Sequence, residues 1–173
     1  MAVLDLQFWP AEVLRNRSEP VTTFDPALLQ LLENMAETMY VENGIGLAAP
    51  QVAVPKRIVV MDVPMDEERT SNLKALINPT IVEKSGEIVY EEGCLSFPGL
   101  TADVSRAAVV LVRYQDHEGN WHEDTMKELE AVCIQHEIDH LDGINFVDYL
   151  SPLKRKILLR ELQKNLAEQG VAA

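Results

Sequence analysis

The segment QHEIDH (135–140) sets His136 and His140 four residues apart, with Glu137 beside the first. On a helix, four residues correspond to about 40° around the axis and about 6 Å along it. Both imidazoles therefore leave one face and can share an ion. Glu137 stands near that ion but points slightly aside. This is the physical content of H-E-x-x-H: two neutral nitrogen ligands, and a carboxylate placed to take a proton from metal-bound water. The plain alternative is a chance polar cluster on a helix face.

A hydrolytic metal site keeps three protein ligands and one open position. Three residues compete for the third place. Cys133 shares the helical face, three residues before His136. It is seven residues from His140, about 10 Å along the axis, and its side chain is too short to reach the same ion. Glu161 follows His140 by 21 residues, an arrangement that resembles thermolysin-like zinc peptidases. Cys94, in EEGCLSFPG (91–99), follows a strand-like run and opens a turn containing Gly and Pro. Such a turn presents a thiolate rigidly. Composition alone leaves Cys94 and Glu161 both open.

The elements that must position these groups can be read in outline. FDPALLQLLENMAETMYVENG (24–44) predicts a helix capped by Asp25, with Pro26 at its first position and Gly44 past its end. Leu28, Leu32, Met35 and Met39 form its buried face. RIVVMDV (57–63) and KALINPTIVE (74–83) read as strands, the second broken by Pro79. AAVVLVRYQDHEGNWHEDTM (107–126) predicts a hairpin turning at 116–120, with His117 and His122 as surface residues beside the turn. KELEAVCIQHEIDHLDG (127–143) is the metal-site helix, closed by Gly143. A last helix at about 152–168 starts with Ser151 as cap and Pro152 at its first position. The sum is an α+β fold, mostly antiparallel strands packed around a central metal-binding helix with N- and C-terminal helices. The 173 residues suit a single domain, 1–173.

Composition narrows the partners. A net charge of −13 argues against general DNA or RNA binding. No apolar run is long enough to span a bilayer, and MAVLDLQFWP has neither a secretory signal nor a transit-peptide pattern, so a cytoplasmic protein is expected. Two cysteines in a reducing compartment are expected to stay free. The charge is uneven. Residues 151–173 carry five basic side chains against Glu161 and Glu168, a local +3, so the remainder carries −16. A solvated helix face is the ordinary reading of such a tail.

Three segments resemble, in order and spacing, the signature motifs of peptide deformylases: GIGLAAPQ (44–51), EGCLS (92–96) and QHEIDH (135–140). DGINFVDYLSPLKR (142–155) resembles the bacterial enzymes close to the enterobacterial type, and the likeness covers nearly the whole chain. It implies removal of the formyl group from the N-terminal methionine of nascent polypeptides, with release of formate. It implies Cys94, His136 and His140 as ligands of one divalent ion: Fe²⁺ in the cell, with Zn²⁺ or Ni²⁺ fitting the same ligands. Metal-bound water is then the nucleophile and Glu137 the general acid/base. Gln51 and the backbone N–H of Leu95 would meet the oxyanion. Glu161 becomes an ordinary helix residue.

The resemblance also implies a substrate cleft lined by Gly44, Ile45, Gly46, Tyr90, Leu129, Val132 and Cys133. Leu129, Val132, Cys133 and His136 lie within about 100° of one another on the helix, an apolar approach that suits an unbranched side chain such as methionine. Read alone, Leu129 and Val132 would be core residues. Small residues in GIGLAAPQ let an extended substrate approach the backbone and pair like a strand. Two other readings stand beside this one: a zinc endopeptidase using Glu161, and a non-catalytic metal-stabilised module at the ribosome. The +3 against −16 contrast motivates a weaker hypothesis beside the solvated-face reading, that the basic C-terminal helix touches ribosomal RNA.

Overall fold

Helix α1 (Pro26–Val41) starts where Asp25 Oδ1 accepts from the Leu28 N–H at 3.0 Å. Its buried face, Leu28, Leu32, Met35 and Met39, packs on Leu47, Ile58, Val60 and Ile77. The computed structural model describes residues 2–170, so Met1 and 171–173, the ends of the domain expected over 1–173, lie outside the described residues. Strands β1 (Gly46–Ala48), β2 (Ile58–Asp62), β3 (Leu73–Ser85), β6 (Val109–Gln115) and β7 (Trp121–Lys127) form one antiparallel sheet in the order β1-β2-β3-β6-β7. Strands β4 (Ile88–Gly93) and β5 (Thr101–Arg106) form a separate antiparallel pair. The fold is α+β.

Every residue of β2 is buried. Ile58 and Val60 face α1, while Val59 and Met61 face helix α2 (Glu128–Leu141) with Ala131, Ile134 and Ile138. The run IVVM (58–61) is apolar without alternation because helices cover both faces of the sheet. Helix α3 (Pro152–Glu168) is capped by Ser151 Oγ on the Lys154 N–H at 3.3 Å. Its Leu162 and Leu166 join a third apolar cluster with Phe97, Val104 and Phe146. No helix among the described residues is long and apolar enough to cross a membrane.

One expectation needs correction. Pro79 does not break its strand; β3 runs on to Ser85 through a register shift between Ile77 and Thr80. Asn78 makes the shift possible by taking a φ of 52°. Its side chain pairs with both the N–H and C=O of Val21 at 2.8 and 2.9 Å and with Gln115 at 2.8 Å. Pro79 thus sits at a bulge, where its missing N–H leaves no ladder bond unmade.

The end of α2 is fastened to the N-terminal segment. The Leu141 carbonyl accepts from Ser18 N–H at 2.8 Å and from Arg57 Nη1 at 2.9 Å. Gly143, at φ 77°, lies so close to the Arg15 carbonyl that a Cβ would stand 2.6 Å from its oxygen. Both the left-handed backbone and the close approach require glycine there.

Candidate metal centre

Cys94 leaves the end of β4; His136 and His140 come from consecutive turns of α2. His136 Nε2 lies 3.2 Å from His140 Nε2, and Cys94 Sγ lies 3.3 Å from His140 Nε2. The three ligand atoms fall within 4.8 Å of one another. Metal–nitrogen bonds of about 2.0–2.1 Å at a tetrahedral angle put two nitrogens about 3.3 Å apart. The triangle is therefore the size that one ion fills, and a thiolate with two imidazoles suits iron, zinc or nickel. Glu161, the rival ligand, is exposed on α3. Cys133 is not part of the cluster; burial pushes its thiol up, and its Sγ faces the Ile45 carbonyl at 3.7 Å.

Behind His136 stands a chain of ionic groups. Its Nδ1 lies 2.8 Å from Glu92 Oε1, which leaves Nε2 for the ion. Arg106 grips Glu92 with Nε at 2.7 Å and Nη2 at 2.8 Å, and reaches Asp139 with Nη1 at 2.6 Å. Tyr149 donates to the same Asp139 oxygen at 2.6 Å and lies under the guanidinium. Burial opposes the charge on both Glu92 and Arg106, but their pairing outweighs it: the carboxyl is held down and the guanidinium up. Burial likewise pushes down the proton affinity of both imidazoles. For His136 the hydrogen bonds to Cys94 and Glu92 reverse the outcome; for His140 burial prevails. Partners that strengthen His136 toward a proton strengthen it toward a cation too.

Sequence reasoning missed Glu92, Arg106, Asp139 and Tyr149. One signal was present. Glu92 is two residues before Cys94 on a strand, so both point to the same face.

Glu137 is 4% exposed; one oxygen lies 3.9 Å from His136 Nε2, and the other is buried without a partner. Burial pushes its carboxyl up to about 7. Gly46 comes so close that a Cβ would meet Cys133 Sγ at 2.7 Å and Glu137 at 3.1 Å. Any larger residue at position 46 would force the Cys133 or Glu137 side chain to shift. Gln51 is locked in orientation: its Oε1 accepts from the Ala48 N–H at 2.9 Å, and its Nε2 donates to Ser96 Oγ at 3.1 Å and toward Cys94 Sγ at 3.5 Å. The Leu95 N–H donates to no carbonyl among the described residues.

These groups open onto a cavity of about 900 Å³. Gly44, Ile45, Gly46 and Gln51 line one side, and Tyr90, Cys94 and Leu95 another. Leu129, Val132, Cys133, His136 and Glu137 line a third, along α2. The N-terminal residues Val3, Leu4 and Leu6 complete the wall, a role that no local motif announces. His117 and His122 lie elsewhere: His117 faces Glu118, and His122 pairs with Asp116 at 2.7 Å by the exposed hairpin turn.

The polypeptide deformylase family model matches residues 3–156 of this chain. Peptide deformylase 2 of Xanthomonas campestris is 51% identical over 167 residues, 95% of this chain and 96% of that protein. The peptide deformylase of Rhodopseudomonas palustris is 48% identical over 99% of this chain and 98% of its own length. The crystal structure of a peptide deformylase from Legionella pneumophila superimposes with a TM-score of 0.92 at 43% identity, covering 99% of this chain and 100% of that one. Another, from Ehrlichia chaffeensis in complex with actinonin, gives 0.90 at 39% identity, covering 95% and 98%.

Proposed function

The chain belongs to the peptide deformylase family, metallohydrolases that remove the N-formyl group from an N-terminal methionine, and from that premise we propose the residues and steps by which it does so. Cys94, His136 and His140 hold one divalent ion, Fe²⁺ in the cell, with Zn²⁺ or Ni²⁺ able to occupy the same ligands. When bound there, such an ion would supply Lewis acidity and would bring the proton affinity of a coordinated water down toward neutrality. Glu137 takes the water's proton and hands it to the leaving amine, a role worth roughly 10²–10⁴-fold. Its burial and its lack of any ionic clamp keep its proton affinity near neutrality, where a general base works best.

Gln51 Nε2 and the Leu95 N–H meet the formyl oxygen as it becomes negative; one such donor is worth about 3 kcal/mol. Their preorganisation is supported by the locked Gln51 amide and the unengaged Leu95 amide. Leu129, Val132 and Cys133 receive the methionine side chain, and Gly44, Ile45, Gly46 and Tyr90 flank the peptide. Formylated nascent chains are made in the cytoplasm, which is where the enzyme acts.

The observation that carries the reading is the convergence of three ligand atoms with Glu137 beside them. Glu137→Ala should retain stoichiometric metal yet release no formate from a formyl-Met peptide under anaerobic conditions. A wild-type protein loaded with Fe²⁺ that released no formate would overturn the proposal.

A further inference from the structure

The two imidazoles of the metal site are supported unequally. His136 leans on Glu92, but His140 Nδ1 is buried and has no hydrogen bond of full geometry. Because His140 Nε2 faces His136 and Cys94, Nδ1 lies on the far side of the ring. A second buried polar atom in the same condition is Asn145 Oδ1. We propose that Asn145 is a positioning residue for the metal centre: its carboxamide oxygen takes the His140 Nδ1 proton and fixes the tautomer and ring angle with which Nε2 meets the ion.

The orientation of the carboxamide is dictated from its other end. Asn145 Nδ2 donates to the Leu14 carbonyl at 3.0 Å. A carbonyl accepts and never donates, so that end must be the NH₂ and the opposite end the oxygen. The backbone is pinned as well, with the Asn145 N–H on Asp148 Oδ2 at 2.8 Å. The side chain is 1% exposed, so water does not readily replace the missing donor. An imidazole N–H and an amide oxygen buried together each need what the other offers. Asn145, five residues beyond His140 in the chain, is the side chain within hydrogen-bonding reach of its ring.

The two supports differ in kind. A carboxylate clamped by arginine backs His136; a neutral amide clamped by a backbone carbonyl backs His140. His136 is therefore the more basic ligand, and His140 is held chiefly by geometry. The anchor at Leu14 makes the N-terminal segment part of the metal centre's support.

This inference rests on the metal-site reading above. Zn²⁺ affinity by chelator competition, and the absorption bands of the Co²⁺-loaded protein, should be compared for wild type, Asn145→Leu and Asn145→Asp. Both variants lose the Nδ2 bond to Leu14, but only Asp keeps an acceptor for His140. The leucine variant should bind Zn²⁺ roughly 10–100-fold more weakly with shifted Co²⁺ bands, and aspartate should restore both. Leucine binding as tightly as wild type, or aspartate binding as weakly as leucine, overturns the proposal. One measurement needs no variant. In zinc-loaded wild type, long-range ¹H–¹⁵N spectra should show a His140 Nδ1 proton slow to exchange with solvent, and rapid exchange overturns it. Wild type that binds no metal fails the underlying site reading instead.

Discussion

Glu92 and Glu137 are carboxylates buried on either side of His136, and their surroundings drive them apart. Arg106 and His136 hold Glu92 ionised, whereas burial lifts Glu137 toward 7 from an ordinary value of 4.5. With the ion removed by chelator, the folded chain binds more protons at Glu137 than the unfolded chain does between those values. Stability must then fall as pH rises through that window. Glu137→Gln removes this dependence. Urea midpoints in chelator should favour glutamine by about 1–3 kcal/mol at pH 8, and the gap should close toward pH 4. Parallel pH profiles for the two proteins would refute it. Glu137 was legible in the sequence as a candidate proton carrier because it lies inside a five-residue motif. Asn145 and Arg106 were not, because their role depends on which distant backbone and carboxylate they meet.

Among the elements, α2 was readable from its length, its glycine stop and its histidine spacing. Strand β5 was not. Its sequence TADVSR buries Ala102, Val104 and Arg106, and a buried arginine reads as a surface residue until Glu92 is placed opposite it. Strand β3 was misjudged at Pro79, since a bulge depends on a partner strand that local propensity does not see. Helix α3 divides into two halves. Leu162 and Leu166 pack under Phe97, and Asn165 Nδ2 donates to the Pro98 carbonyl at 3.0 Å. The first half instead exposes Leu153 and Ile157 among Lys154, Lys156 and Arg160. That half is the proposed contact with ribosomal RNA. Lys156→Glu with Arg160→Glu should reduce co-sedimentation with ribosomes and leave formate release from a free peptide unchanged. Wild-type binding that is insensitive to salt would argue against the contact. Truncating the helix is the poorer test, because it would strip two leucines from the core around Phe97.

For the molecule as a whole, the site lies where separately packed parts meet. Cys94 borders the cluster around Phe97, the histidines ride on the helix that fills the opposite face of the sheet from α1, and Gln51 follows β1. No single stretch of sequence contains that meeting point, and for this reason local reading left Cys94 and Glu161 undecided. Strand β1 adds a consequence of another kind. It stands at the end of its sheet, paired on one side with β2, and is three residues long. At about 3.3 Å per residue it offers a docked chain roughly 10 Å of backbone. That is a gauge, and a short one. For formyl-Met peptides of increasing length, kcat/KM should climb until about three residues follow the methionine and then level off; a continued rise with each added residue would show a longer track. A substrate paired along so short a gauge would be open to deformylation when only a few residues of the nascent chain are within reach.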